Sequence, residues 1–282
     1  MSRLEQTRPS GHGRARGLVS SRISGARVSA HTFAPPVELA AIVDQLWLAR
    51  WDLRGQAPHH THLLSDPTLN LCFEAGTPRR APRRRLVGIW TRLWERTLEG
   101  VGVVVAVKLR PGAARAVVDV AAATRNRIVP LPARLQPGAG VVANAVIATH
   151  LDPGAESAAV LAIAAWLTRV HRHDPDTAHA VELCAHIRAS PDLGRVEQLV
   201  RRSGLTERSL QRLFHAHVGA PPKFIVRRYR LQEAALRLER GDRVSLAALA
   251  AELGYADQAH LARDFRTATR MSPSEFRTRV HR

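Results

Sequence analysis

Two stretches in the C-terminal third repeat one another, and this repeat restricts the fold of that region more than any other feature of the chain. "VEQLVRRSGLTERSLQRLFHAHVGAPPKFI" (196–225) aligns with "LAALAAELGYADQAHLARDFRTATRMSPSEF" (246–276). Gly204 meets Gly254, and one residue is inserted in the second turn. An offset of 51 then pairs Thr206 with Asp257, Leu210 with Leu261, Arg212 with Arg263 and Phe214 with Phe265. Each copy reads as a short helix, a glycine turn and a longer helix, which is the helix-turn-helix arrangement. Thr206 and Asp257 are good N-cap residues for the longer helix. Leu210, Leu213 and Phe214 fall on one face of the first copy, as Leu261 and Phe265 do in the second.

The opposite faces are polar. Arg208, Gln211, Arg212 and His215 line up in the first copy. Ala259, Ala262, Arg263 and Arg266, with Gln258 beside them, line up in the second. Arginine can bridge guanine O6 and N7, glutamine can pair with adenine, and alanine can meet a thymine methyl. One such helix is an ordinary amphipathic helix with a solvated face. Two in register, each behind a glycine turn, point to a shared reading surface. Between them, "PPKFIVRRYRLQEAALRLERG" starts at proline and stops at Gly241, the usual signals of helix start and end. Pro222 to Arg240 as one helix would span about 28 Å. That is close to the ~34 Å turn of B-DNA, so the rod could hold two recognition helices over successive major grooves.

Charge points the same way. Lys+Arg 42 against Asp+Glu 24 gives +18, and residues 195–282 hold 18 Arg or Lys and 9 acids, a net +9. Lys108 and Lys223 are the two lysines; all other basic charge is arginine, whose planar fork suits phosphate and guanine. An excess of this size favours a polyanionic partner, either nucleic acid or an anionic membrane surface.

Through these two motifs and the helix between them, residues 177–282 resemble the DNA-binding domain of the AraC/XylS family of bacterial transcription regulators. The resemblance implies seven helices, two helix-turn-helix units and a linker helix. It also implies base contacts from Arg208, Gln211 and Arg212, then from Gln258, Ala259, Ala262 and Arg263. Phosphate contacts would come from helix starts and flanking arginines such as Arg227 and Arg266. Double-stranded DNA is the implied partner, with RNA polymerase, an unidentified small-molecule effector and a second copy of the chain left open. No membrane partner and no cofactor is implied, and the expected compartment is the bacterial cytoplasm.

The fold class expected is α+β: a β-rich sensor-like domain, then an all-α domain. Residues 1–34, rich in Arg, Ser and Gly with Glu5 the single acid, read as a disordered basic arm. Residues 35–153 read as an effector-sensing or dimerisation domain. Its strands are expected at "LNLCFEAG" (69–76), "LVGIW" (86–90), "GVGVVVAVKLRPG" (100–112) and "GVVANAVIATHL" (140–151). "RRAPRRR" (79–85) reads as a solvated loop between two of them. Residues 154–176 read as a connecting helix and linker, with Val160, Ile163, Leu167 and Val170 at helical spacing. "SDPTLNLCFEAG" and "VGVVVAVKLRPGAARAV" resemble the uncharacterised β-rich domain that precedes the helical domain in a subgroup of actinobacterial AraC-type proteins.

Catalytic and metal sites are not expected. Cys72 and Cys184 are far apart, without a CxxC pair, and each sits in an apolar stretch unsuited to an activated thiolate. "HHTH" (59–62) places His60 and His62 on one side of a strand, but further ligands at metal-site spacing are missing. The histidines are therefore expected in an exposed loop or edge strand. The alternatives to a regulator are a non-specific architectural DNA binder and a DNA-repair regulator that accepts alkyl groups on cysteine.

Overall fold

Short apolar runs rich in β-branched residues build the N-terminal half. The computed structural model describes residues 6–7, 18–20, 28–76, 79–190, 193, 196–242 and 244–281. Its strands are β1 (Gln6–Thr7), β2 (Leu18–Ser20), β3 (Val28–Phe33), β4 (Val43–Asp52) and β5 (His59–Leu63), then β6 (Asn70–Gly76), β7 (Arg79–Val87), β8 (Trp94–Leu98), β9 (Val101–Leu109) and β10 (Ile128–Pro130). Seven form an antiparallel sheet in the order β1-β3-β4-β9-β6-β7-β10, and β2-β5-β8 form a second. Val105 of β9 stands between Leu48 of β4 and Phe73 of β6.

Helices α1 (Ala139–Leu151) and α2 (Glu156–Val170) pack on one face of the large sheet. Leu46, Leu48, Leu71, Phe73, Val103 and Val105 point to these helices, and Phe73 meets Trp166 edge-on at 5.2 Å. Trp51, Cys72, Val104 and Ala106 point to the other face, where Leu98 of the small sheet joins them. A residue period of two divides each strand between these two apolar layers.

Several expectations need correction. "GVVANAVIATHL" is helix α1, not a strand: Val142, Ala143 and Val146 are buried at helical spacing. An apolar run does not discriminate strand from helix, and its alanines favour the helix. "RRAPRRR" is not a loop but most of β7, with Arg83 to Arg85 registered against β6. There Arg85 and, from β8 of the small sheet, Arg96 both donate to the Glu74 carboxylate, which offsets one of their two positive charges and ties the two sheets together. Residues 28–33 of the expected basic arm form β3 along β4; its residues 1–5, 8–17 and 21–27 lie outside the described residues. "HHTH" lies in β5, the middle strand of the small sheet and not its edge. His60 meets Thr97 Oγ1 at 3.0 Å, and His62 lies 3.9 Å from Glu95. Helix α2 does more than connect, since Val160, Ile163, Trp166 and Leu167 are buried in the sheet core.

Seven helices follow among the described residues, the number the resemblance implies: α3 (Thr177–Ala189), α4 (Val196–Ser203), α5 (Glu207–His217), α6 (Pro222–Arg240), α7 (Leu246–Glu252), α8 (Gln258–Thr269) and α9 (Pro273–Val280). They do not form a detached domain. Leu210 and Phe214 of α5 belong to one continuous core with Val117 and Ala121 of the N-terminal half. At Gly112, with φ +98°, an added Cβ would lie 2.6 Å from the Ala180 carbonyl carbon, so glycine permits the approach of α3. The core of the second unit likewise includes Leu64 and Leu93 from the N-terminal half.

Candidate nucleic-acid interface

Each recognition helix is held by its apolar side and capped at its start. Thr206 Oγ1 accepts from Ser209 N at 3.2 Å, and Asp257 Oδ1 accepts from His260 N at 2.6 Å. Gly204 and Gly254 adopt φ +67° and +70°, the left-handed turn that sends the chain from α4 into α5 and from α7 into α8. Leu210, Leu213 and Phe214 are buried beneath α5, and Leu261 and Phe265 beneath α8. Phe265 meets Phe276 of α9 edge-on at 5.5 Å.

The opposite faces are open. Arg208, Gln211 and Arg212 are exposed on α5; Gln258, Ala259 and Arg263 are exposed on α8, with Ala262 half-buried. Gln211 Nε2 donates to Glu207 Oε1 at 3.1 Å, which steadies its amide along the helix. Arg212 reaches Ser209 Oγ at 3.4 Å, a weak contact. Neither Arg208 nor Arg263 makes an ion pair among the described residues. These are cations on a solvent-facing helix surface with few internal partners, the condition in which arginine is free to engage an external acceptor.

The two flanking arginines differ. Arg266 is exposed, 3.8 Å from Glu275. Arg227 Nε lies 2.6 Å from Asp264 Oδ2, so the guanidinium ties α6 to α8. The sequence reading missed Asp264; its position in α8, one residue after Arg263, carried no signal of a partner on the linker helix. It also missed Arg228, almost wholly buried between α6 and the N-terminal half. Arg228 donates to the Trp90 carbonyl at 3.2 Å and lies over the Phe224 ring at 5.1 Å.

The thiols are poorly placed for chemistry. Cys72 and Cys184 are buried, and burial pushes them up to about 11 and about 12, where the reactive thiolate is scarce. Among the described residues, Asp174, Asp176 and His217 are the one group of potential metal ligands within mutual reach. Arg115 Nε already donates to Asp174 Oδ2 at 3.0 Å. No helix among the described residues is long and apolar enough to cross a membrane.

Comparison with known proteins agrees with this geometry. Residues 199–279 match the family model described as a helix-turn-helix domain, and residues 31–130 match a domain of unknown function, DUF6597. An uncharacterized HTH-type transcriptional regulator of Haemophilus influenzae is 33% identical over 85 residues, which are 30% of this chain and 28% of that protein. The chain thus spans little more than a quarter of that relative's length. A transcriptional regulator with an AraC-type DNA-binding domain from Chromobacterium violaceum aligns at 20% identity and TM-score 0.34, over 36% of this chain and 91% of that one. A probable AraC family transcriptional regulator of Rhodopseudomonas palustris aligns at 27% and 0.33, over 36% and 96%. ToxT of Vibrio cholerae, bound to a naphthalenyl butenoic acid, aligns at 10% and 0.41, over 90% and 98%. The C-terminal third of this chain thus carries a helix-turn-helix domain, set behind a region similar to the domain of unknown function DUF6597.

Proposed function

We propose that the protein is a sequence-specific DNA-binding transcriptional regulator, acting as an activator under control of its N-terminal domain. One observation carries this reading: both recognition helices bury their apolar sides and leave their Arg and Gln faces open at the same time. Arg208, Gln211 and Arg212 read one major-groove segment; Gln258, Ala259, Ala262 and Arg263 read the next, with thymine methyls as the partners of the two alanines. Arg227 and Arg266 add phosphate contacts, Arg227 while it also steadies α8. Double-stranded DNA in the cytoplasm is the partner, and no catalytic step belongs to this reading. RNA polymerase and a second copy of the chain are its further partners, and residues 35–153 hold the sensing or dimerising function.

The test is selection of binding sites from fragmented genomic DNA by the full chain, near physiological ionic strength. Arg212→Ala and Arg263→Ala run beside it. A short enriched site is expected, with preference relaxed at defined positions by each change, at about 1–3 kcal/mol for the lost base contact. Equal binding to all sequences, weakened uniformly by either change, would instead establish a non-specific architectural protein.

A further inference from the structure

Asp174, Asp176 and His217 meet where the link between α2 and α3 passes the end of recognition helix α5. His217 is the last residue of α5 and its side chain is 4% exposed, with the largely buried Asp174 against it. One donor atom from each of the three lies within 4.8 Å of the other two. Arg115 and the Gly112 backbone, both from the N-terminal half, border the same imidazole ring.

A plain ion pair accounts poorly for this arrangement. His217 Nε2 stands 3.4 Å from Asp174 Oδ1. A charge-assisted N–H···O bond is shorter, about 2.7–2.9 Å. Around a tetrahedral zinc ion with N and O donors at about 2.0–2.1 Å, neighbouring donors stand about 3.3–3.4 Å apart. Neither nitrogen of the buried ring closes a well-aligned hydrogen bond among the described residues, although Nε2 is aimed at Asp174 and the ring feels the Gly112 backbone. Buried polar atoms are normally satisfied, so this one calls for a partner. Asp176 stands at the N-cap of α3, where an aspartate ordinarily accepts from a helix-start amide, yet its side chain caps nothing. Arg115 Nε holds Asp174 Oδ2 at 3.0 Å, and the Asp176 amide donates to Oδ1 at 3.2 Å. Outer hydrogen bonds of this kind orient a ligating carboxylate. Two carboxylates against one guanidinium leave an excess of negative charge. Burial lowers the His217 pKa, so the neutral ring offers a lone pair.

We propose that Asp174, Asp176 and His217 bind a divalent transition-metal ion of the zinc class, through one oxygen of each carboxylate and His217 Nε2, with the fourth position left to solvent. One imidazole and two carboxylates make a donor set that zinc accepts, whereas magnesium and calcium favour oxygen alone. The ion ties the end of α5 to the link before α3 and, through Arg115, to the N-terminal half. Under the regulator reading, on which this consequence alone rests, it fixes the first recognition helix against the rest of the chain. A proton competes for the same place on the ring.

The full chain, stripped with a chelator and dialysed, is titrated with Co²⁺, whose visible absorption reports a tetrahedral site, and then with Zn²⁺ or Mg²⁺ as competitor. One cobalt ion per chain is expected, in a saturable band that Zn²⁺ removes and Mg²⁺ does not. His217→Gln and Asp174→Asn should each abolish the band. Asp176→Asn should weaken binding at least tenfold; Asp176 is exposed, so this variant stays informative if a buried change folds poorly. The His60→Gln/His62→Gln double variant, which removes the histidine pair of β5, should bind as the parent does. No saturable band, a band that Mg²⁺ removes equally, a band untouched by Asp176→Asn, or one lost in the His60→Gln/His62→Gln variant overturns the proposal. DNA-site preference is measured on the same samples with and without Zn²⁺. Absence of any preference in both sinks the regulator reading and leaves the cobalt result standing.

Discussion

Arg227, Arg228 and Arg230 lie within four residues, and as letters they are interchangeable. In the folded chain one pairs with Asp264, one is buried, and the third donates to the carbonyls of Leu193 and Gly254. Burial pulls the Arg228 guanidinium down to about 10, and its Nη1 has no partner. A buried cation with one neutral hydrogen bond contributes little net stability, whereas its aliphatic stem fills space. Arg228→Met should therefore keep unfolding free energy within about 1 kcal/mol of the parent or raise it, while Arg228→Ala should lose about 2–4 kcal/mol through the cavity left behind. Urea denaturation of the full chain checks both. His217 makes a pH prediction. Burial lowers its pKa, opposed by Asp174 at 3.4 Å and Asp176, with Arg115 adding to the lowering. A histidine depressed in the folded state takes its proton first in the unfolded chain. Its contribution is thus complete above the unfolded value, about 6.5, and is lost as pH falls from there through the folded value. Asp174 is depressed too, so its own contribution fades only in the lower carboxylate range. Thermal midpoints between pH 7 and pH 5 should fall, and His217→Gln should flatten that slope.

At the scale of elements, the recognition helices depend on their caps. Thr206→Ala and Asp257→Ala should each lower stability by about 1 kcal/mol, because each leaves a helix-start amide without its acceptor. Denaturant midpoints measure this, and Thr206→Ser should recover most of the loss. Helix α9 carries the reciprocal version, with Ser272 N donating to Glu275 Oε2 at 2.6 Å and Glu275 N to Ser272 Oγ at 3.2 Å. Such caps are legible in a sequence because each acts within three residues of itself. The same locality explains the seven helices, the glycine turns and strands β6 and β9. It also explains the failures. Helix α1 and strand β7 depend on what lies opposite them: an apolar sheet face for Val142 and Val146, and Glu74 for Arg85. A run of arginines becomes a strand when a neighbouring strand brings the carboxylate. The spacing of the run contains no trace of that.

At the scale of the whole molecule, the two halves share their core. Leu64 and Leu93 enter the second unit, Gln232 Nε2 donates to the Leu64 carbonyl at 2.8 Å, and Arg125 Nε donates to the Gly219 carbonyl at 2.7 Å. Arg270 at the end of α8 meets Glu95 of β8 at 2.5 Å. A core that runs through both halves should unfold as one cooperative unit, seen in calorimetry as a single transition. Gly112→Ala places a Cβ against the Ala180 backbone in a conformation that favours glycine, so α3 must move away. The variant should melt several degrees lower, or in two steps, with the helical units separating from the sheet domain.

The repeat, its caps, its buried leucines and phenylalanines and its open Arg and Gln faces were legible in the residues alone. Each rests on interactions three or four positions apart along a helix, or on a glycine's own backbone freedom. Tertiary structure alone decided which arginines stay open, which one is buried and which ones pair across elements. It also decided that the β-rich half and both helix-turn-helix units close over one another. Those outcomes depend on groups distant along the chain, as Arg228 and the Trp90 carbonyl are, and only the folded chain brings them within bonding distance.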